Sequence, residues 1–181
     1  VNALFYDPVA HHLYDYVQGR ADLKAGIIRA VGEPEKRFRE DHLRILRAIR
    51  FSARLGFPIE TQTASAIRQH AALILSVSAD RIRDEFVRTL MEARRAGDAL
   101  SQLLEFGLLE VLLPEVVALK NQPQPPEFHP EGDVFEHTIL MLNAMERRTP
   151  RLILAVLLHD IGKPPTARMD NGRLRFDNHA G

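Results

Sequence analysis

Hydrophobic positions follow first a strand-like and then a helix-like pattern along the chain. Residues 3–17 mix aromatic and β-branched side chains, are interrupted at Asp7 and Pro8, and predict two short β segments. A further short strand is predicted over 27–31. From Glu33 onward the spacing of apolar residues becomes helical and stays so. The fold is therefore predicted to be mainly α, with a short β portion at its start.

Proline, glycine and capping residues divide the helical part into segments. Helices are predicted over 33–56, 61–75, 79–93, 99–113, 133–148 and 151–159. Gly97 is expected to interrupt the helical pattern, and the proline-rich run 121–126 is expected to be an extended, exposed linker. These boundaries predict three parts, namely a β portion over 1–31, a helical domain over 32–120 and the start of a second helical domain over 127–181.

The most informative segment is 39–51. At about 100° per residue, one continuous helix there places apolar residues on one side and four charged residues on the other, namely Asp41, Arg44, Arg47 and Arg50. Such a face is either the solvated side of an amphipathic helix or a nucleotide site. Arginine suits phosphates and base edges. A carboxylate beside an arginine matches the amine and ring nitrogen of cytosine or adenine, whereas uracil and guanine present the reverse order and would leave polar groups unpaired.

Composition narrows the possible partners of the chain. Its 181 residues include 24 Lys or Arg and 24 Asp or Glu, which excludes a uniformly basic coat for nucleic acid, so any such contact must come from a local patch. Residues 29–54 hold eight Lys or Arg against four Asp or Glu. The absence of cysteine excludes disulfides, thiolate zinc sites and cysteine nucleophiles and is compatible with the cytoplasmic location that we expect. The longest apolar run, 152–158, is too short to cross a bilayer, so no membrane partner is expected.

A second basic stretch lies over 81–95, which contains five arginines and three acidic residues. Its arginines either form a solvated helix face or contact an RNA backbone, and salt-dependent binding would be the sign of the second role. Arg81 and Arg88 are the candidates for that contact.

Histidines concentrate in the last third of the chain. His137 and the pair His159-Asp160 lie on helical patterns and are candidate metal ligands, and His129 and His179 are two further candidates. Two imidazoles and a carboxylate suit a six-coordinate ion such as Mn²⁺, Fe²⁺, Ni²⁺ or Mg²⁺ better than a closed zinc site. The alternative is a set of core histidines with ordinary hydrogen-bond partners.

Four segments resemble motifs of the class II nucleotidyltransferases, which are the bacterial CCA-adding tRNA enzymes and the related poly(A) polymerases. The segments are Asn2-Ala3-Leu4, Asp15-Tyr16-Val17-x-Gly19-x-x-Asp22-Leu23-x-x-Gly26 with Ile28-Arg29, Glu40-Asp41-x-x-Arg44-x-x-Arg47-Ala48-x-Arg50-Phe51, and Ser78-Ala79-x-Arg81-Ile82-x-x-Glu85. The resemblance implies that Asp41 and Arg44 pair with the base of CTP or ATP. It also implies that Arg47 and Arg50 help to hold the nucleotide and that Asn2 is a neighbouring contact.

The same resemblance implies a tRNA or other RNA 3′ end as partner and Mg²⁺ as the cofactor of transfer. The family's Gly-rich opening and its two metal-binding aspartates are expected upstream of Val1. We therefore interpret the chain as an internal piece of a longer enzyme that would be inactive in nucleotidyl transfer by itself.

The run His159-Asp160-Ile161-Gly162-Lys163 resembles metal-dependent HD phosphohydrolases, and many class II nucleotidyltransferases carry an HD domain in their C-terminal half. This resemblance implies an HD-type domain over 127–181 with Mn²⁺ or Ni²⁺ at its histidines. Three functions thus stay open: part of a nucleotidyltransferase, an HD phosphohydrolase, or a non-catalytic helical RNA-binding module.

Overall fold

The computed structural model describes residues 3–124, 132–170 and 173–176, and most of them are helical. The α-helices are α1 (Gly19–Ala25), α2 (Pro34–Glu40), α3 (Leu43–Leu55), α4 (Thr61–His70), α5 (Ala79–Glu92), α6 (Ala96–Glu105), α7 (Leu108–Leu112), α8 (Pro114–Val117), α9 (Val134–Ala144), α10 (Pro150–Leu158) and α11 (Lys163–Thr166). A 3₁₀ helix, Ala71–Ser76, follows α4. The strands are β1 (Leu4–Asp7), β2 (His12–Asp15), β3 (Ala167–Asp170) and β4 (Arg173–Phe176). In this part of the chain no helix is both long and apolar enough to cross a membrane.

The strands form two separate antiparallel hairpins. In the first, β1 pairs with β2, with Leu4 opposite Asp15, which confirms the two predicted β segments. The strand predicted over 27–31 is wrong, because Ile28 makes only a single parallel bridge with Ile59 before α4 begins. The second hairpin, β3 with β4, was not predicted from the sequence.

Helix α3 is the centre of the helical part. Ile45, Leu46 and Ile49 are fully buried and pack toward α5 and α6, as their helical spacing predicts. The assumption of one continuous helix over 39–51 is wrong, because α2 ends at Glu40 and α3 begins at Leu43. The residue between them that breaks the helix is Asp41, whose backbone is extended with φ −155°.

Gly97 does not interrupt a helix but lies inside α6, which corrects the expectation from its residue type. Its lack of a side chain allows α9 to approach, since a Cβ at this position would collide with the backbone carbonyl of Ile139. The Gly97 amide also donates to Asn143 Oδ1 at 2.8 Å. The break before α6 lies at residues 93–95, and a second break at Gly107, where φ is +73°, divides the predicted helix 99–113 into α6 and α7.

The last helices share one hydrophobic core with the earlier ones. Leu142, Ile153 and Leu157 are fully buried in the same cluster as the α3 residues. Helix α9 packs on α6, and α10 packs on α5. Arg148 joins the two parts further by donating to three carbonyls at the end of α5, those of Leu90, Ala93 and Arg94. The described helices on the two sides of the predicted boundary, residues 32–120 and 127–181, thus pack into one hydrophobic core.

The predicted linker is tied down at its described ends. Asp133 accepts from the amide of Asn121 through Oδ2, at 2.7 Å, and from the amide of Glu136 through Oδ1, at 2.9 Å. Gln124 is only 7% exposed, and its side-chain oxygen accepts from Lys163 Nζ at 2.7 Å. The expectation of an exposed linker is therefore wrong at Gln124.

Candidate functional site

Asp41 lies at the junction of α2 and α3, outside both helices. Its Oδ1 accepts a hydrogen bond from the amide of Leu43 at 3.2 Å, while its carbonyl accepts from the amide of Arg44 at 3.0 Å. A short polar side chain that bonds nearby amides in this way competes with helix continuation, which explains the break at this residue. The Asp41 side chain is 33% exposed and can therefore meet a ligand.

Arg44 occupies the first turn of α3 and is held by α2. Its Nη1 donates to Glu40 Oε2 at 2.7 Å and to the carbonyl of Arg37 at 3.1 Å. The hydrogen bond from Arg44 is the largest cause that lowers the pKa of Glu40 below its ordinary value, and the charge of Arg37 adds to the effect. These two hydrogen bonds orient the Arg44 guanidinium toward α2 and already use its Nη1.

Arg50, which is predicted to help hold the nucleotide, is buried in the structure. Its side chain is 5% exposed and lies between α3 and α5, where Nε donates to Glu85 Oε1 at 2.6 Å and Nη1 donates to Glu92 Oε2 at 2.9 Å. The guanidinium also lies over the ring of Phe51, 4.6 Å from its centroid. Burial acts to lower the pKa of Arg50, but the hydrogen bonds to the two glutamates outweigh it and raise that pKa. The geometry thus gives Arg50 a structural position behind the site.

Arg47 stays partly exposed on the same helix. Its guanidinium lies 6.0 Å from the centroid of Phe51, and within the described ranges it pairs with no carboxylate. Of the predicted arginines of α3, Arg44 and Arg47 are therefore the two whose charges reach the surface.

The arginines of α5 have unequal partners. Arg83 pairs with Asp80 and Asp84, and Arg88 pairs with Glu92, so both are engaged within their own helix. Arg81 instead reaches across to Asp41, with Nη2 3.5 Å from each carboxylate oxygen.

The predicted metal ligands His137, His159 and Asp160 come together. One ligand atom from each residue lies within 4.8 Å of the other two, and the two imidazole centroids are 5.7 Å apart. Asp160 is buried, and its Oδ2 lies 2.7 Å from Nζ of the buried Lys163. An ion at this cluster would share the carboxylate with that ammonium group.

The hydrogen bonds of His159 bear on what the cluster can hold. Nδ1 lies 2.8 Å from the carbonyl of Val156, which can only accept, so Nδ1 carries the proton and Nε2 is the free ring nitrogen of the neutral form. Nε2 in turn faces Asp160 Oδ2 at 3.0 Å. Two lone pairs at that distance repel unless a cation lies between them, either a proton on Nε2 or a metal ion.

Three predicted site residues, Asn2, His129 and His179, lie outside the described residues. Glu40 and Glu85 were recognised only as motif positions and Glu92 was not singled out, although these carboxylates hold the arginines. Glu85 and Glu92 are seven residues apart on α5, a spacing of about two helical turns that could have indicated a shared face.

Comparison with known proteins supports the resemblance. Residues 56–119 match the profile of a family described as "Probable RNA and SrmB- binding site of polymerase A". The chain is 35% identical over 170 residues to the multifunctional CCA protein of Nitrosospira multiformis and 39% identical over 175 residues to that of Neisseria gonorrhoeae. Each alignment covers 92% of this chain but only 40% of the relative.

A solved structure agrees with these relatives. The crystal structure of the Bacillus stearothermophilus CCA-adding enzyme in complex with CTP is 39% identical, with a TM-score of 0.59, and covers 66% of this chain and 30% of that chain. The neighbours confirm the mainly helical fold as well. The metal cluster and the HD resemblance stay predictions. The chain is thus similar to multifunctional CCA proteins and to a CCA-adding enzyme, and it spans about 40% of the length of the curated relatives that it matches.

Proposed function

We propose that this chain forms the base-reading and RNA-binding part of a tRNA nucleotidyltransferase, which adds C or A from CTP or ATP to an RNA 3′ end. The observation that carries the proposal is the position of Asp41, a partly exposed carboxylate at the α2–α3 junction that is followed by the ordered guanidinium of Arg44. The similarity to a CCA-adding enzyme bound to CTP supports the same assignment.

The chemistry of these two side chains favours C and A over U and G. The Asp41 carboxylate accepts a hydrogen bond from the exocyclic amine, and Arg44 donates to the adjacent ring nitrogen. Uracil and guanine place an acceptor where Asp41 needs a donor, and a desolvated polar group without a partner costs about 1–3 kcal/mol. Selection by mismatch therefore needs no template strand.

The arginines of α3 divide into two roles in this proposal. Arg47, partly exposed, contacts the phosphates or ribose of the nucleotide. Arg50 acts from behind, because its ion pairs with Glu85 and Glu92 hold α3 against α5 and so fix where Asp41 and Arg44 lie.

RNA contacts are assigned to the exposed side of α5, within the matched family segment, with Arg81 and Arg88 facing the backbone. Nucleotidyl transfer in such an enzyme requires a divalent cation, and we propose Mg²⁺. Within the described residues the one cluster with three potential ligands has two imidazoles, which suit Mn²⁺ or Ni²⁺ better. Mg²⁺ would therefore use carboxylates outside the described part of the protein.

The test is incorporation of the four nucleotides by the enzyme that carries this chain, with and without Asp41→Ala. We expect CTP and ATP to lose about 5- to 150-fold, corresponding to about 1–3 kcal/mol, and UTP and GTP to lose far less. Equal losses for all four nucleotides would contradict base reading by Asp41. Unchanged incorporation would favour a solvated helix face and a non-catalytic module.

A second activity is favoured by the cluster of His137, His159 and Asp160. We propose that it binds Mn²⁺ or Ni²⁺ and that the ion, when bound, supplies a hydroxide for phosphate ester hydrolysis. The support is the convergence of the three potential ligands, in which Oδ2 of Asp160 lies 3.0 Å from Nε2 of His159.

A further inference from the structure

The contact between Arg81 and Asp41 joins the two halves of the candidate site. Arg81 lies in the first turn of α5, inside the segment that matches the RNA-binding family, and Asp41 is the proposed acceptor for the base. Nη2 of Arg81 lies 3.5 Å from both Oδ1 and Oδ2 of Asp41, although 40 residues separate the two in sequence. The Arg81 guanidinium thus contacts the carboxylate that would read the nucleotide.

The ion pair between Arg81 and Asp41 is weak enough for another partner to replace it. Both distances are at the outer limit of a hydrogen bond, and the side chains of Arg81 and Asp41 are 55% and 33% exposed. Exposed ion pairs of this kind contribute little to stability and are readily replaced by a better partner. The amide of Leu43 holds Oδ1 independently of Arg81, so the Asp41 carboxylate keeps its orientation when Arg81 leaves.

Compared with Arg83 and Arg88 on the same helix, Arg81 gives up the weakest ion pair when it binds RNA. Arg83 and Arg88 each have a carboxylate partner on their own helix at 3.1 Å or less. Arg81, within the described part of the chain, has Asp41 as its hydrogen-bonded carboxylate, at the longer distance. A phosphate offers a guanidinium a shorter, bidentate contact than the one it gives up.

We propose that Arg81 couples RNA binding to nucleotide reading by exchanging Asp41 for a phosphate of the RNA backbone. Without RNA, Arg81 occupies the carboxylate and competes with the amine of the incoming base. With RNA bound, Arg81 turns to the phosphate and Asp41 is left to accept from C or A. The inference rests on the proposed function of Asp41 and adds that bound RNA favours the binding of CTP or ATP.

The coupling is reciprocal and small. RNA raises the affinity for CTP by the same factor by which CTP raises the affinity for RNA, because both effects are one coupling free energy. Since only an exposed ion pair is exchanged, we expect a factor of about two to five.

The experiment measures the dissociation constant of a non-hydrolysable CTP analogue on the enzyme that carries this chain, with and without a tRNA lacking its terminal CCA. In the unaltered protein the tRNA should tighten binding by about two- to fivefold. In Arg81→Ala, CTP should bind without tRNA as tightly as it binds the unaltered protein with tRNA, and adding tRNA should change nothing further. Arg83→Ala, on the same helix, should keep the effect of tRNA.

Two other outcomes would overturn the inference. If Arg81→Ala weakens CTP binding without tRNA, Arg81 holds Asp41 in place rather than competing with the base. If Arg81→Ala leaves the effect of tRNA intact, Arg81 does not carry the coupling. Failure of the underlying function is recognised separately, because Asp41→Ala would then leave the preference for CTP over UTP unchanged.

Discussion

Arg50 and Glu85 form an ion pair buried between α3 and α5, with Nε 2.6 Å from Oε1 and side chains 5% and 7% exposed. The pair connects the helix that carries the proposed base-reading residues to the helix that carries the proposed RNA contacts. Its two members are 35 residues apart in sequence, so the bond forms only when both helices are packed.

Removing Glu85 should strongly destabilise the protein. Glu85→Ala leaves the Arg50 guanidinium buried with only Glu92 as a charged partner, and breaking a buried pair in this way costs about 3–5 kcal/mol. Urea unfolding of the variant measures the loss. Asp84→Ala is the matched control, because Asp84 is exposed and pairs with exposed Arg83, so its effect should stay within about 0.5 kcal/mol. Similar small effects for both variants would show that the buried pair does not hold the helices together.

Gly97→Ala should loosen the packing of α9 on α6. A methyl group at this position meets the carbonyl of Ile139, so α9 has to move or Asn143 has to give up its hydrogen bond to the Gly97 amide. Overpacking of this kind costs about 1–3 kcal/mol even though alanine is the better helix former. Ser101→Ala in the same helix removes a hydroxyl that donates to the Gly97 carbonyl at 3.2 Å and should change stability by less than about 0.5 kcal/mol. A Gly97→Ala protein as stable as the Ser101→Ala protein would contradict the close approach.

Acid should weaken the contribution of Glu92. Burial raises the pKa of Glu92, but hydrogen bonds from Arg50 and Arg88 outweigh it and hold that pKa below its ordinary value of 4.5. A carboxyl whose pKa is lower in the folded than in the unfolded state stabilises the fold fully above the unfolded value and progressively less as the pH falls through the folded value. Glu92→Gln should therefore be less stable than the unaltered protein at pH 7, and the difference should shrink below about pH 4.5. Unfolding free energies of both proteins, measured from pH 7 down to pH 3, test this prediction. A stability difference that grows as the pH falls would contradict a lowered pKa of Glu92.

His159→Ala should abolish binding of Mn²⁺ or Ni²⁺ while the rest of the protein stays folded. The substitution removes the nitrogen that faces Asp160 and leaves two of the three candidate ligands. Calorimetric titration of the untagged protein measures the affinity, and His12→Ala, in the exposed first hairpin, is the control that should bind as before. Equal binding by the His159→Ala protein would show that these histidines are structural, with Nε2 protonated against Asp160.

The residue pattern of the sequence was sufficient to predict those elements that depend only on local burial. The apolar spacing of Ile45, Leu46 and Ile49 predicted the buried face of α3, and the aromatic and β-branched residues of 3–17 predicted the two strands of the first hairpin. The helical wheel failed at Asp41, because it assumes a continuous helix and cannot represent a side chain that bonds the amide two residues on. The role of Gly97 depends on Asn143, 46 residues away, so no local pattern reports it.

The site residues divide in the same way. The types and spacing of Asp41 and Arg44, together with the family resemblance, were enough to select them as candidates. Which arginines face solvent was not predictable, because Arg50 and Arg47 have equivalent spacing and differ only in whether Glu85 and Glu92 of another helix receive them. A charged residue on a helix shows its role only when the neighbouring helix is in place.

The two carboxylate oxygens of Asp133 also bear on how this part of the protein can vary in length. By bonding the amides of Asn121 and Glu136, Asp133 closes the intervening chain into a loop whose two ends are fixed side by side. The entropy of closing such a loop grows only logarithmically, by about 0.6 kcal/mol for each doubling of its length. A change in the number of residues between Gln124 and Gly132 should therefore leave the entry of α9 into the core nearly unchanged.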